Sequence, residues 1–265
     1  MSQGGYQTAL ITGATSGIGL ELARLAARDG HRLVIVARHE DALRRTADEL
    51  QRSGAAGVII IPLDLSESAS VGALVGRLAA EQLAPDLLIN NAGFGAVGAV
   101  ADLDPELLHR MIELNITALT RLTRALLPGM LTRGSGRILN VASTAAFQPG
   151  PFMAVYYASK AYVLSFSEAL AEELRGSGVT VTTLCPGPTR TEFAERSGAR
   201  STPLFRSGVV MEAAPVARAG YEGMMKGRRV VITGVLNRLL AFGTRLVPRR
   251  LATRISRATI TARLG

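Results

Sequence analysis

A glycine-rich segment near the N-terminus, TGATSGIG at 12–19, lies directly between a strand-like apolar run and a helical pattern. Strand-like runs alternate with helical patterns along most of the chain, which is typical of a parallel sheet covered by helices on both faces. The sequence therefore predicts an α/β fold, a doubly wound parallel sheet of the Rossmann type with about seven strands. A chain of 265 residues with 48% apolar residues suits one domain with a large core.

The order of the elements follows from the apolar pattern. Strands are predicted at 8–12, 32–37, 57–63, 86–90, 137–143, 179–186 and 228–234. Helices are predicted at 18–29, 40–52, 105–131 with a break near Leu114, and 154–175, and Ser66 with Glu67 is expected to cap a further one. The irregular segment 187–212 is predicted to be a substrate loop. We place the domain at 1–234 and a C-terminal extension at 235–265.

The glycine-rich segment predicts a nucleotide site. Gly13 permits a tight turn, Gly17 lets the backbone approach a pyrophosphate, and Gly19 lets the helix pack on the strand. The helix N-terminus then offers N–H groups to the anion. The alternative is a glycine-rich connection that holds no ligand. After the second strand, Ala37 and Arg38 stand where dinucleotide folds often have an acid for the adenosine ribose. A guanidinium there can bind a 2′-phosphate, which favours NADPH over NADH, unless Arg38 is simply solvated.

Ser143, Tyr156 and Lys160 form a second group of candidates. A tyrosine and a lysine four positions apart on a helix lie on one face. A phenol has a reference pKa of ~10, and a nearby ammonium favours the phenolate, which would let the phenol exchange a proton near neutral pH. Ser143 would hold the oxygen of a carbonyl or alcohol, although it could also just end a strand. Together with the glycine-rich segment, this group predicts proton transfer beside a hydride carrier.

These motifs, in this order, resemble those of the short-chain dehydrogenase/reductase family, in its compact single-domain branch, over about 7–235. TGATSGIG resembles the glycine turn of the family, NNAG at 90–93 the motif after the fourth strand, and PGPTRT at 186–191 the loop at the nicotinamide end. The resemblance implies an NAD(P)-dependent oxidoreductase that interconverts a carbonyl and an alcohol, with Tyr156 as general acid/base. It implies the catalytic residues Asn115, Ser143, Tyr156 and Lys160, with Asn115 in a proton relay through water and the lysine.

The resemblance also implies the contacts of the cofactor and the assembly of the protein. The implied cofactor residues are Gly13, Thr15, Ser16, Gly17, Ile18, Gly19, Arg38, Asp64, Leu65, Asn91, Ala92, Gly93, Tyr156, Lys160, Pro186, Gly187 and Thr189. Among them, Asp64 would contact adenine and Thr189 the carboxamide. A homodimer or homotetramer is expected, through the helices at 105–131 and 154–175. The main rival is a catalytically idle nucleotide-binding scaffold, which would be expected to lose the tyrosine or the lysine.

Apolar side chains are expected to form the substrate pocket. Phe147 and Phe152 follow Ser143, and Phe193 lies in the predicted substrate loop. With Ser143 and Tyr156 they predict a pocket for an apolar ketone, aldehyde or secondary alcohol. The alternative is that these rings only pack the loop.

The charge of the chain is concentrated at its C-terminal end. From Lys226 to Gly265 there are ten basic residues and no acidic one, whereas the rest of the chain is nearly neutral. The extension mixes arginine with leucine, valine, isoleucine and phenylalanine at roughly helical spacing, interrupted at Pro248. It is expected to lie on an anionic membrane surface or to dock on a partner subunit or over the substrate pocket; a disordered tail is the third alternative. Nucleic acid binding is not expected.

Cysteine and histidine usage bears on compartment and metals. One cysteine excludes an internal disulfide and favours a reducing compartment, and no basic segment followed by a long apolar one is evident at the N-terminus. The three histidines show no ligand spacing, so no metal site is predicted. We expect a cytoplasmic protein, or one peripheral at the inner face of a membrane.

Overall fold

A computed structural model describes residues 7–206, 210–244 and 246–261 of the chain. Its strands are β1 (Thr8–Thr12), β2 (Arg32–Ala37), β3 (Gly57–Pro62), β4 (Leu87–Asn90), β5 (Gly136–Val141), β6 (Val179–Cys185), β7 (Thr189–Arg190), β8 (Met211–Glu212) and β9 (Val230–Ile232). Seven of them form one parallel sheet in the order β3-β2-β1-β4-β5-β6-β9, while β7 and β8 pair with each other. The fold class predicted from the sequence is confirmed.

Helices cover both faces of this sheet. They are α1 (Gly17–Arg28), α2 (Glu40–Arg52), α3 (Ser70–Ala80), α4 (Pro105–Ile112), α5 (Leu119–Arg133), α6 (Ala154–Glu173), α7 (Glu192–Arg196), α8 (Pro203–Arg206), α9 (Ala213–Met225), α10 (Val235–Gly243) and α11 (Arg249–Thr261). A π-helical segment, Glu113–Ala118, joins α4 to α5, and short 3₁₀ segments lie at Thr144–Phe147 and Ala199–Ser201. No helix in the described part of the chain is both long and apolar enough to cross a membrane.

The core consists of two apolar layers, one on each face of the sheet. Successive side chains of a strand point to opposite faces. Ala9 and Ile11 of β1 pack with Leu22 of α1 in one layer, which also includes residues of α2 and α9. Leu10 packs in the other layer, with Leu74 of α3 and residues of α5 and α6. Because both faces are buried, strands such as β1 and β2 are nearly continuous apolar runs instead of alternating.

The topology determines where a ligand can bind. The strand order reverses between β1 and β4, which are neighbours in the sheet. Strands β2 and β3 lie on one side of this point, and β5, β6 and β9 lie on the other. In open parallel sheets the crevice at such a switch point, beside the carboxyl ends of the strands, is the usual binding site. The glycine-rich segment directly follows β1 and therefore lies at this crevice.

Several details differ from the sequence-based predictions. Ser66 does not cap α3, because that helix begins at Ser70 after Ala69 and has no side-chain cap; the Ser66 hydroxyl instead donates to Asp64 Oδ1 at 2.6 Å. Helix α9 was not predicted. The predicted substrate loop holds α7, α8, β7 and β8, and its residues 207–209 lie outside the described part.

Two predicted interruptions are confirmed. The break near Leu114 is the π-helical segment, and the extension is interrupted at Pro248, just before α11 begins. The extension is therefore two helices in its described part.

Candidate active site

A cavity of about 1140 Å³ opens at the carboxyl ends of the strands. Its walls come from the N-terminal end of α1, the loops after β2 to β6, helix α6, and helices α10 and α11 of the extension. The site is therefore assembled from segments along almost the whole described chain.

The glycine-rich segment forms one end of the cavity. Gly13 N–H donates to Val36 O at 2.8 Å, which joins the turn to β2. A Cβ at Gly19 would lie 2.2 Å from Gly13 O, so only glycine allows α1 to approach the turn this closely. Ser16, the N-cap residue, makes no side-chain hydrogen bond to the helix, and Gly17 and Ile18 line the cavity. The N-terminal N–H groups of α1 are thus available to an anion at this wall.

Arginines surround an aspartate at the far end of the same cavity. Asp64 Oδ2 accepts from Arg110 at 2.8 Å and lies 3.9 Å from a guanidinium nitrogen of Arg38. Asp64 Oδ1 accepts from both the backbone and the hydroxyl of Ser66. Burial alone would raise the pKa of this carboxyl, but the Ser66 hydrogen bonds and the two arginines outweigh burial and lower the pKa. Arg45 of α2 also lines this end, so the region is basic overall.

The loop after β4 is fixed to the glycine turn by hydrogen bonds. Asn91 Nδ2 donates to the carbonyls of Thr12 and Gly13, both at 3.0 Å. The Thr12 hydroxyl accepts from the backbone N–H groups of Asn91 and Ala92. These bonds hold Asn91, Ala92 and Gly93 along the wall between the two ends of the cavity.

Ser143, Tyr156 and Lys160 meet at the middle of the cavity. Ser143 is the second residue after the end of β5, and Tyr156 and Lys160 lie one turn apart on α6. Tyr156 is hydrogen-bonded to Ser143. Lys160 is 6% exposed; its Nζ donates to Val141 O at 2.9 Å and lies 5.8 Å from the centre of the Tyr156 ring. The serine, phenol and ammonium predicted from the sequence are therefore in one place.

The protonation of this group differs from the expectation. Burial raises the pKa of Tyr156 above its ordinary value of 10.0, and the hydrogen bond to Ser143 opposes this without reversing it. Burial also lowers the pKa of Lys160 to about 8. The expected net lowering of the phenol pKa is therefore not found in this arrangement, because desolvation of the phenol outweighs the groups that favour the phenolate. The phenol carries its proton at neutral pH.

Asn115 lies behind this group, in the π-helical segment, and does not line the cavity. Its Nδ2 donates to Phe94 O at 2.9 Å and to Ser159 Oγ at 3.0 Å, while its Oδ1 accepts from Phe94 N–H at 3.1 Å. Ser159 in turn donates to the carbonyl of Tyr156 at 2.7 Å. The side chain of Asn115 thus connects the loop after β4 to the helix that carries Tyr156. Its predicted part in a proton relay stays a prediction.

Most of the predicted site residues share the cavity. Those that line it are Gly13, Thr15, Ser16, Gly17, Ile18, Arg38, Asp64, Leu65, Asn91, Ala92, Gly93, Ser143, Phe147, Tyr156, Lys160, Pro186, Gly187, Thr189 and Phe193. Gly19, Asn115 and Phe152 do not. Phe152 instead lies beneath the guanidinium of Arg257 of α11, 5.5 Å from ring centre to guanidinium carbon. In the described part of the chain, no group of three or more histidine, cysteine, aspartate or glutamate side chains could hold a metal ion.

The wall around Tyr156 is largely apolar. The Phe193 ring lies 5.2 Å from the Tyr156 ring, centre to centre, and Phe147 and Met153 line the same region. Tyr157 joins this wall and packs with Ile260 of α11. A substrate at Ser143 and Tyr156 would thus have the carbon surfaces of Phe147, Phe193 and Met153 beside it.

Sequence reasoning missed the residues that long-range packing brings here. Arg110 of α4 is one; the others belong to the extension and include Asn237, Leu239, Leu240, Ile255, Ser256 and Thr259. The docking of the extension over the pocket was one of three alternatives. No local pattern in the sequence distinguishes it from the others.

The fold and the arrangement of the site are those of a nucleotide-binding oxidoreductase. A sequence profile of the family described as short chain dehydrogenase matches residues 7–201. The chain belongs to this family of oxidoreductases.

Individual relatives cover most of the chain. A protein assigned as the ketoacyl reductase of the monensin polyketide synthase of Streptomyces virginiae is 44% identical over 200 residues, which is 74% of this chain and 76% of the relative. A short-chain dehydrogenase from Sphingobium yanoikuyae, solved in complex with NADPH, is 37% identical with a TM-score of 0.79 and covers 91% of this chain and 94% of its own. The bulky-bulky ketone specific alcohol dehydrogenase from Comamonas testosteroni is 32% identical with a TM-score of 0.77, covering 91% and 93%.

Proposed function

We propose that the protein is an NADPH-dependent oxidoreductase that interconverts a carbonyl and an alcohol on an apolar substrate, with Tyr156 as the acid and base. The observation that carries the proposal is the meeting of Ser143, Tyr156 and Lys160 at one wall of a cavity whose end is the glycine-rich turn. A proton donor and a dinucleotide cradle in one cavity are the two parts that carbonyl reduction requires.

The residues of the cavity fit a dinucleotide. The N-terminus of α1, with no side-chain cap from Ser16, would hold the pyrophosphate. Asp64 and Leu65 would lie beside the adenosine, and Asn91, Ala92 and Gly93 would follow the chain of the cofactor. At Gly93 a Cβ would lie 3.0 Å from Asn115 Oδ1 and 3.4 Å from Lys160 Nζ, so a larger residue would crowd the catalytic lysine. Pro186, Gly187 and Thr189 would hold the nicotinamide end.

Arg38 supports NADPH in preference to NADH. Its side chain is half exposed at the cavity, and no carboxylate stands at the end of β2 to repel a 2′-phosphate. Asp64 is the carboxylate that forms an ion pair with Arg38, and Arg110 already donates to it at 2.8 Å. Arg38 is therefore only weakly held by Asp64, at 3.9 Å, and can turn to a phosphate. The relative from Sphingobium yanoikuyae, solved with NADPH, is consistent with this.

The chain contributes orientation and a proton. NADPH, when bound, supplies the hydride. The hydroxyls of Ser143 and Tyr156 would both bind the substrate oxygen, which polarises the carbonyl and fixes its carbon. Tyr156 would then donate its proton to that oxygen, a step for which its raised pKa keeps the proton available. The ammonium of Lys160 would stabilise the phenolate that remains. Asn115 holds Phe94 and, through Ser159, the backbone of Tyr156 in place.

An apolar substrate fits the wall around Tyr156. Phe147, Phe193 and Met153 line this part of the cavity, so a ketone or aldehyde with carbon substituents would be desolvated there without loss of hydrogen bonds. The relatives named for a ketoacyl and for a bulky ketone substrate agree with a carbonyl of this kind. The cavity volume of about 1140 Å³ leaves room for a dinucleotide and a sizeable substrate together.

The assembly and the compartment are part of the proposal. The exposed apolar side chains Ile112, Leu131 and Tyr162 belong to α4, α5 and α6, the helices expected to pair in a homodimer or homotetramer. The single cysteine, Cys185, is buried, which is compatible with a reducing compartment such as the cytoplasm. Light scattering in solution measures the assembly directly.

The test is an NADPH-oxidation screen over ketones, aldehydes and quinones, followed by a cofactor switch. Arg38→Asp should lower kcat/KM for NADPH by about tenfold or more, since a hydrogen-bonded charge pair is replaced by repulsion, while NADH is little affected. Arg44→Asp is the matched control, because Arg44 is an exposed arginine of α2 outside the cavity lining. Absence of oxidation with every compound, or equal use of NADH and NADPH by the wild type, would refute the proposal.

A further inference from the structure

Helix α10 turns its large apolar side chains outward, although a surface helix of a water-soluble domain usually buries them. The residues that it buries are Asn237 and Ala241, which are polar and small. Its exposed residues include Val235, Leu236 and Phe242, which are 73%, 49% and 60% exposed and do not line the cavity. Amphipathic surface helices normally turn their large apolar side chains inward. This reversed orientation indicates that the outer face of α10 contacts an apolar surface and not water.

Helix α11 extends the same exposed surface. It turns Ala252, Ser256 and Ile260 toward the protein and leaves Leu251 and Ile255 exposed. Leu246, between the two helices, is 75% exposed. Of the large apolar side chains that are exposed in the described residues, eight lie between 235 and 255, against four in all the rest. We call the outer surface of α10 and α11 the C-terminal face.

The charges on the C-terminal face are all positive. Arg238, Arg249, Arg250 and Arg254 are exposed on it, and no acidic residue follows Glu222 in the sequence. Exposed leucine and phenylalanine interleaved with arginine, without carboxylates, is the composition of helices that lie in the interface of an anionic bilayer. A second copy of the chain is a poorer partner, because a two-fold contact would oppose this positively charged face to an equally positive one.

The C-terminal face is continuous with the cavity. Leu239, Leu240 and Ile255 are exposed on the face, and the same three residues line the cavity. An apolar compound dissolved in a bilayer beneath this face would therefore reach Tyr156 along carbon surface, without crossing water.

We propose that the C-terminal face docks on an anionic lipid surface and that a lipid-dissolved ketone or aldehyde enters the cavity from the bilayer between α10 and α11. The docking part is independent of the enzyme activity, and the substrate part rests on the proposed function. Lipid binding needs no crossing of the membrane, since the two helices would lie in the plane of the interface.

Vesicle flotation tests the docking. Wild-type protein should float with vesicles of phosphatidylcholine containing about one third phosphatidylglycerol and stay behind with phosphatidylcholine alone. The double variants Phe242→Gln/Leu246→Gln and Arg250→Gln/Arg254→Gln should each lose most of this binding. The matched controls are Val100→Gln, an exposed valine outside the extension and the pairing helices, and Arg28→Gln/Arg52→Gln, two exposed arginines on α1 and α2; both should float as the wild type does.

Activity measurements separate the two parts of the proposal. With a short water-soluble ketone, Phe242→Gln/Leu246→Gln should oxidise NADPH as fast as the wild type, because neither residue lines the cavity. With a long-chain ketone incorporated in anionic vesicles, the same variant should be several-fold slower. Equal flotation of the wild type and both double variants would overturn the docking. So would a molecular mass in solution that is doubled in the wild type but not in the double variants, which would show a dimer through this face. Binding to an acidic protein without any binding to vesicles would also overturn it. If NADPH oxidation fails for every ketone while flotation holds, the fault lies in the proposed function and not in the docking.

Discussion

At the scale of single residues, Tyr156 and Lys160 depart from their ordinary ionisation in opposite directions. Burial raises the pKa of the phenol and lowers that of the ammonium to about 8. Both shifts favour neutral forms, as expected for groups withdrawn from water. A protonated phenol is the state required to reduce a carbonyl, whereas oxidation of an alcohol requires the phenolate. Under the proposed mechanism, the raised pKa of Tyr156 keeps its proton available for reduction at neutral pH, and the Lys160 ammonium is the group that titrates first.

The pH dependence of reduction should report Lys160. As pH rises through about 8, the folded protein loses the ammonium charge while Tyr156 keeps its proton, so stabilisation of the nascent phenolate is lost. We expect kcat for reduction to fall above about pH 8 in the wild type, measured between about pH 6 and pH 10. Lys160→Met should be slow throughout and show no transition near pH 8. A wild-type rate that stays level or rises across this range would contradict the assignment.

At the scale of elements, tertiary packing determines that a segment is helical where its local helix propensity is weak. Helix α9 contains Gly220, and glycine disfavours a helix. A Cβ at Gly220 would lie 2.6 Å from the side chain of Leu184 in β6, so the glycine lets α9 lie against the sheet. The helix forms because Val216, Ala217 and Met224 are fully buried in the core. A propensity-based reading of the sequence could not find this helix, since its stability comes from its neighbours.

Gly220→Ala should therefore destabilise the protein although alanine is the better helix former. Overpacking against Leu184 should lower the free energy of unfolding by about 1–3 kcal/mol, measured by urea denaturation. Gly72→Ala in α3 is the matched control, because a Cβ there meets no atom within 4 Å and should raise stability by about 0.5–1 kcal/mol. If the two variants changed stability in the same direction and by the same amount, the packing explanation would fail.

Sequence reasoning succeeded where the information is local. The spacing of Tyr156 and Lys160 places them on one face of α6, and the glycine pattern places the turn at the end of β1. It failed at the start of α3, because Ser66 bonds to Asp64 instead of capping the helix. It also missed the contact of Arg110 with Asp64, which joins helix α4 to the loop after β3. Such contacts depend on the sheet order, which no short pattern encodes.

At the scale of the whole molecule, one cavity collects residues from both ends of the described chain. Gly13 follows the first strand and Ser256 belongs to the last helix, yet both line the cavity. Helices α10 and α11 close over the substrate end, where Ile260 packs with Met153 and Tyr157. The same two helices present the C-terminal face outward. The extension, which differs from the rest of the chain in charge and composition, is therefore a wall of the candidate site. Docking over the pocket and contact with a membrane, two alternatives that the sequence left open, are thus compatible with each other.

The central claim is that the phenol of Tyr156 gives the proton in a cavity that independently holds NADPH. Tyr156→Phe removes the hydroxyl and keeps the ring that packs on Phe193. We predict that kcat for NADPH-dependent ketone reduction falls roughly 100- to 10,000-fold, while NADPH affinity, followed by nicotinamide fluorescence, stays within about twofold of the wild type. Turnover in Tyr156→Phe at the wild-type rate would contradict the account.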